Sequence, residues 1–176
     1  MMNDAHAVAE LMRWAAENAA PLAWQRVGDE SIEFDVAAPY SVRLAAAAGT
    51  WQLETVSGRG IRTSSLGDIE TPFDAVLESL RDRLYSTATD EFDEADRSGG
   101  QAIAQVLRTS SDEERDGLWC ARAATLLAGH AIKDGYGLQA QLRLEEAAAL
   151  YAAAGDIDAE NRMLQTLASL PELLRA

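Results

Sequence analysis

The sequence predicts an α+β fold, with an N-terminal helix, an antiparallel β-meander of four or five strands with a packed helix, and a C-terminal helical hairpin region. Two changes of period carry this prediction. Between residues 31 and 56, apolar side chains recur at every second position, which is typical of strands with one buried face. From residue 71 onward they recur every three or four positions, which is typical of amphipathic helices.

The first predicted element is a helix over residues 4–19, with Asp4 as its N-cap. Its apolar residues recur at near-helical spacing: Ala7, Leu11, Met12 and Trp14. Pro21 should end the helix, because proline lacks the backbone N–H that would continue the hydrogen-bond ladder. The strands are expected to begin after it.

Three alternating segments follow, namely "SIEFDVA", "YSVRLAA" and "TWQLETV". Each segment places apolar residues on one face and polar residues on the other, as with Ile32 and Phe34 against Glu33. The connections carry residues that favour tight turns: Gly28-Asp29, Ala48-Gly49 and Ser57-Gly58. Because tight turns join antiparallel neighbours, the strands should form a meander.

The segment "TPFDAVLESLRDRLY" predicts a helix that lies across the sheet. Thr71 can cap this helix, and Pro72 suits its first turn. Its apolar residues form one stripe: Phe73, Val76, Leu77, Leu80 and Leu84. A stripe with this spacing identifies the face that should be buried.

An acidic segment, "TATDEFDEADRSGG", ends in paired glycines and predicts a poorly ordered or short-helical link over residues 89–100. This link divides the chain into an α+β domain over residues 1–88 and a helical region over residues 101–176 that packs on it. A calcium loop is not expected here, because Phe92 and Glu94 interrupt the order of acids that such a loop requires.

The helical region should contain four helices joined by short loops, which implies antiparallel neighbours. The first is expected over Gly99–Arg108, and the second from a capping box of Ser111 and Glu114 to Lys133. The third should span Leu138–Ala154 and end at Gly155. The fourth should begin at Asp156 or Asp158 and end at Pro171. The last two helices resemble a single tetratricopeptide hairpin. No second copy of it occurs, so a solenoid is not expected.

Fifteen basic and 29 acidic residues give a net charge of −14, and the most acidic part is residues 68–96. Such a surface repels phosphates, so neither nucleic acid nor a membrane is an expected partner. It would speed the encounter with a basic protein, or it serves solubility alone. The lack of a membrane-length apolar run, the non-basic N-terminus and a lone cysteine, Cys120, predict a cytoplasmic protein.

The sequence contains no recognisable catalytic, cofactor or metal site. His130 lies ten residues after Cys120 on one predicted helix, which is about 15 Å of rise, so the two cannot form a dyad. The spacings of zinc sites, of a serine nucleophile elbow and of a P-loop are absent. We therefore expect no enzyme, no cofactor and no metal, while an unrecognised pair of carboxylates keeps an enzyme open as a third possibility.

The segment "SGRGIRTSSLGDIE" is the main candidate for a functional site. One interpretation is structural: a hairpin turn at residues 57–60, a short strand at residues 61–64 and a second turn at Gly67-Asp68. The other is a protruding loop that enters a cleft of another protein, because glycines permit close approach and arginines are forked donors. Its candidate partner-binding residues are Ser57, Gly58, Arg59, Gly60, Arg62, Ser65, Gly67 and Asp68.

Over residues 8–85 the chain presents a helix with "LMRWAAENAAPLAW", strands that end in "WQLETVSGRG", and a helix with "FDAVLESLRDRL". In this order of parts it resembles the immunity proteins (antitoxins) of bacterial polymorphic-toxin systems, in particular the immunity factors of the mycobacterial necrotizing NAD-glycohydrolase toxin. The resemblance implies a non-catalytic protein of the cytoplasm. It also implies a 1:1 heterodimer with the toxin's catalytic domain, in which the toxin's NAD-binding cleft is blocked.

The alternative is a scaffold or adaptor that uses its helical hairpin for protein–protein interaction. Its partners would be regulatory proteins rather than a toxin. Exposure of four apolar side chains along the last two helices would favour it: Leu144, Leu150, Tyr151 and Met163.

Overall fold

The computed structural model describes residues 3–18, 20 and 24–176, and it confirms the α+β class. In chain order the elements are α1 Asp4–Glu17, β1 Trp24–Arg26, β2 Ser31–Phe34, β3 Ser41–Ala47, β4 Thr50–Ser57, β5 Gly60–Asp68, α2 Phe73–Asp90, α3 Ser98–Thr109, α4 Gly117–Lys133, α5 Gly137–Ala153, α6 Ile157–Ala168 and α7 Leu170–Leu173. Pro21, which was expected to end the first helix, lies outside the described residues.

The five strands form one antiparallel sheet in the order β1-β2-β3-β4-β5, as a meander requires. Side chains alternate across it as the sequence predicts, and Ile32, Leu44 and Trp51 on one face are fully buried. The other face is polar, where Arg43 Nη2 donates to Glu54 Oε1 across β3 and β4 at 2.9 Å. The helices therefore have one face of the sheet to pack against.

The β3–β4 turn also fixes the start of α1. Ala48 and Gly49 both have positive φ, at 51° and 78°, which is the geometry of a two-residue hairpin turn. The backbone N–H groups of both residues donate to the Asp4 carboxylate, at 2.9 and 3.1 Å. The prediction that Asp4 caps α1 is therefore wrong. Asn3 is the cap, and its Oδ1 accepts from the N–H of His6 at 2.8 Å.

The predicted stripe of α2 is buried, with Phe73 half-buried against Trp51. Thr71 is not its cap, because Pro72 occupies the cap position and no side chain accepts a hydrogen bond there. One cluster of buried apolar side chains joins the sheet to α2, α3 and α4, with Leu44, Leu84, Leu107 and Ala123 among its members. The core beneath the sheet thus continues into the helical part of the chain.

The capping box expected for α4 does not form. Ser111 Oγ donates to the carbonyl of Leu107 at 2.8 Å and so extends the end of α3. Asp112 Oδ1 accepts the N–H groups of Glu114 and Arg115 at 3.0 Å each, which makes a turn. Helix α4 begins later, at Gly117, after this local hydrogen bonding has ended.

Helix α5 packs against α4, and α6 packs against α5, through alanines and Tyr151. Gly155, at φ 76°, follows the end of α5. The sequence predicts that the last long helix starts at Asp156 or Asp158. Asp156 is the N-cap of α6, and its Oδ1 accepts from the N–H of Ala159 at 3.0 Å. Within the described residues, no helix combines the length and the apolar character needed to cross a membrane.

Candidate partner-binding hairpin

The candidate site lies at the tip of the β4–β5 hairpin. Ser57 pairs with Gly60, so Gly58 and Arg59 form a two-residue turn, and Gly60 has a φ of +95° that favours glycine. The side chain of Ile61, next along β5, is 72% exposed. The tip therefore presents an arginine and an isoleucine to solvent on a tight, well-defined turn.

A buried carboxylate holds this turn from behind. Glu91 is 1% exposed, and its Oε2 and Oε1 accept from the backbone N–H groups of Gly58 and Arg59 at 3.3 and 3.4 Å. The link that carries Glu91 follows α2 directly, so the hairpin tip is tied to the helical part of the chain. Two N–H donors to one carboxylate satisfy a charge that would otherwise be costly to bury.

Glycines make this close approach possible. A Cβ atom on Gly99 would lie 2.6 Å from Glu91 Oε2 and 2.8 Å from the backbone nitrogen of Gly58. A Cβ atom on Gly100 would lie 3.1 Å from Cε1 of His130. The paired glycines at the start of α3 therefore leave room for the carboxylate, the hairpin turn and a buried ring.

Both tip arginines already have acidic neighbours in the chain. Arg59 Nε donates to Glu94 Oε1 at 2.6 Å, and Arg62 Nη1 donates to Asp90 Oδ2 at 2.7 Å. All four side chains are about two-fifths exposed, between 39% and 43%. These are surface pairs, which contribute little to stability because water screens both charges.

The other three predicted residues lie further along β5. Ser65 is exposed, Gly67 has a φ of +126° beside a β-bulge opposite Trp51, and Asp68 accepts from the N–H of Glu70. Asp68 lies eight residues along the strand from Gly60, which is about 26 Å, and Ser65 lies five residues along it, which is about 17 Å. The structure therefore brings together the five residues near the tip and leaves the other three apart. The strand is also longer than the short strand expected at residues 61–64.

The acidic segment is more ordered than a solvated link. Lys133 pairs with Asp93 and lies 4.0 Å from the centre of the Phe92 ring, so the segment is attached to α4 as well as to the hairpin. On α2 the acids Asp74, Glu78 and Asp82 are exposed at helical spacing. Asp74 and Asp82 on α2 have no ion pair among the described residues, whereas Asp93 and Glu94 in the link are paired with Lys133 and Arg59.

The two residues tested for a dyad, Cys120 and His130, are both buried in α4. Burial raises the pKa of the Cys120 thiol to about 11, so the thiol stays protonated at neutral pH. Burial also lowers the pKa of His130, and neither ring nitrogen has a hydrogen-bond partner among the described residues. Within that part of the chain no three metal-ligating side chains cluster.

Sequence reasoning missed Glu91 and the glycines that accommodate it. The signal was present in "DEFDEADRSGG", because paired glycines at a helix start indicate close packing as readily as a flexible link. What the sequence could not supply is the partner of Glu91, which lies 33 residues earlier at Gly58.

Comparison of the chain with protein-family models, curated proteins and solved structures gave no match.

Proposed function

We propose that this protein is a non-catalytic immunity protein of the cytoplasm, which binds the catalytic domain of an NAD-glycohydrolase toxin and blocks its NAD-binding cleft. The observation that carries the proposal is the exposed hairpin tip whose backbone is fixed by buried Glu91. A segment that is ordered before binding loses less conformational entropy on insertion into a cleft. Such a tip suits inhibition better than a mobile loop.

The chemistry of the tip fits a polar cleft. Arg59 and Ile61 point one forked donor and one apolar side chain into solvent within three residues. The ion pair between Arg59 and Glu94 is exposed, so a carboxylate of a partner can replace Glu94 at small cost. The same holds for Arg62 and Asp90. The tip can thus exchange internal pairs for pairs with the toxin.

The exposed acids of α2 should attract a basic toxin domain toward this side of the protein. A net charge of −14 favours a basic partner and raises the rate of encounter. The association rate with the toxin domain should fall as salt is added, because the Debye length shrinks from about 10 Å at 0.1 M to about 3 Å at 1 M. A rate that is constant over this range would mean that the charge serves solubility only.

The test uses the purified toxin catalytic domain, with its hydrolysis of NAD and its binding to the full chain as readouts. Arg59→Ala and Arg62→Ala should each weaken binding by roughly thirtyfold or more, because each removes half of a charge pair buried in the complex. Arg162→Ala is the control, since Arg162 is exposed on α6 and has no ion pair among the described residues. Melting temperatures should be unchanged in all three variants.

Full inhibition by both tip variants would reject the hairpin as the inhibitory element. Failure of the unaltered chain to bind the toxin domain would reject the proposed function itself. The four side chains whose exposure would have favoured the adaptor alternative are not exposed. Leu144 and Tyr151 are buried, and Leu150 and Met163 are half-buried between the helices.

A further inference from the structure

One face of α5 is exposed along the whole helix. Five residues on this face, spaced by four, three, four and three positions, are exposed: Leu138, Leu142, Glu145, Ala149 and Ala152. We call this set the α5 ridge. Spacing of this kind keeps side chains on one line when a second helix packs alongside, as in coiled coils. The opposite face of α5 is buried against α4 and α6.

At its N-terminal end the α5 ridge carries large apolar side chains that are exposed to solvent. Leu138 is 72% exposed and Leu142 is 56% exposed, and Tyr136, just before the helix, is 57% exposed. These are three of the ten large apolar side chains that are exposed among the described residues. A concentration of this kind marks an interaction surface more often than scattered single residues do.

A groove runs beside the ridge. It has a volume of about 690 Å³ and lies between α3 and α5, with Ala102, Leu127 and Ala131 among its apolar lining residues. Leu142 belongs both to the ridge and to the wall of this groove. The alanines further along the ridge would let a second helix approach closely, and its larger side chains could enter the groove at Leu142.

The charge of the ridge decides which helix can cover it. Glu145 is the one charged residue of the ridge, and among the described residues its carboxylate accepts a hydrogen bond from Gln141 Nε2 at 2.8 Å. A docked helix would remove this carboxylate from water, so a cation must face it. A second copy of the chain would bring Glu145 against Glu145 at the centre of the ridge, with a net charge of −14 on each side.

We propose that the α5 ridge is the docking surface for an amphipathic helix of a different protein, which carries a lysine or arginine in the middle of its apolar stripe. Leu138 and Leu142 supply the apolar contact at one end of the ridge, and Ala149 and Ala152 allow close approach at the other. Glu145 selects the partner by its charge. This surface is separate from the hairpin tip and does not depend on the function proposed for it.

Two synthetic amphipathic peptides test the proposal against the full chain by fluorescence anisotropy. Both carry leucine along the apolar stripe, and the central stripe position is lysine in one and glutamate in the other. The lysine peptide should bind about tenfold more tightly than the glutamate peptide, because one pairing is attractive and the other is repulsive. Glu145→Lys should reverse this order, since only the sign of one ridge charge has changed.

Leu142→Asp should abolish binding of the lysine peptide, while Leu164→Asp should leave it unchanged. Leu164 is the matched control, because it is a leucine on α6 that is also about half exposed, at 46%. Both changes are at the surface, so melting curves should match that of the unaltered chain. Equal loss in the two variants, no binding of either peptide, or no reversal by Glu145→Lys would overturn the proposal. Self-association that sedimentation detects and Leu142→Asp removes would also overturn it, in favour of a second copy.

Discussion

The hairpin tip and the packed interface of α2, α3 and α4 use the same residue types in opposite environments. At the tip, Arg59 and Glu94 form an ion pair in which the side chains are 43% and 39% exposed. In the interface, Arg81 and Asp116 form a pair in which they are 8% and 18% exposed. The buried pair stabilises the fold and cannot exchange partners, because an unpaired charge in the interior is costly. The exposed pair remains free to exchange partners.

The glycines differ in the same way. Gly60 at the tip is needed for its backbone conformation, and nothing lies within 4 Å of where its Cβ would be. Gly99, behind the tip at the start of α3, does not have positive φ but has no space for a Cβ, because Glu91 and the Gly58 backbone lie against it. The exposed turn therefore requires glycine for its shape, and the packed start of α3 requires glycine for close approach. The three predictions that follow test this contrast, from the largest expected effect to the smallest.

Arg81→Ala should lower the free energy of unfolding by about 3–5 kcal/mol, because it removes the guanidinium that pairs with the largely buried carboxylate of Asp116. Urea unfolding followed by circular dichroism measures this. Arg59→Ala, at the tip, is the matched control and should give no resolvable change. Equal effects of the two changes would show that burial does not separate the two regions.

Gly99→Ala should lower the free energy of unfolding by about 1–3 kcal/mol, because the new methyl group overlaps the Glu91 carboxylate and the Gly58 backbone. The exchange of the Gly58 and Arg59 amide protons with solvent should also become faster. Gly117→Ala, at the start of α4, is the control, since nothing lies within 4 Å of its Cβ position. That variant should be neutral or stabilised by up to about 1 kcal/mol, and destabilisation of it would contradict the packing argument.

The buried ring of His130 should make the interface sensitive to acid. Burial lowers the pKa of His130 in the folded state below the ordinary value of 6.5, so the unfolded chain binds this proton more readily. Stability is unaffected by His130 above pH 6.5 and should be lost as pH falls below it, by at most about 1.4 kcal/mol per pH unit.

His130→Phe should reduce this pH slope at pH values below about 6.5. His6→Gln should retain it, because the side chain of His6 is 60% exposed. Because the substitution at His130 also changes packing, the slope is the measure and not the absolute stability. An unchanged slope in His130→Phe would show that His130 is not the source of the acid sensitivity.

The parts of the fold that follow from local pattern could be predicted. The alternation in β2, β3 and β4 and the stripe of α2 were correct because each depends only on the period of apolar residues. The caps were less predictable. Asp4 has the chemistry of an N-cap, but the amides of the β3–β4 turn, more than 40 residues away, use its carboxylate. Ser111 and Glu114 match a capping box, yet local turns compete for the same groups.

By itself, the sequence determined the order of helices and strands, the turn at Gly58-Arg59 and the excess of negative charge. These properties depend on residue type and near neighbours, which the sequence contains in full. Only the tertiary structure decided which charges are buried, because burial depends on elements that meet across long separations, as Glu91 meets Gly58. It also decided that Leu144 is buried while Leu138 and Leu142 are exposed, since α4 and α6 cover one face of α5 and leave the other to solvent.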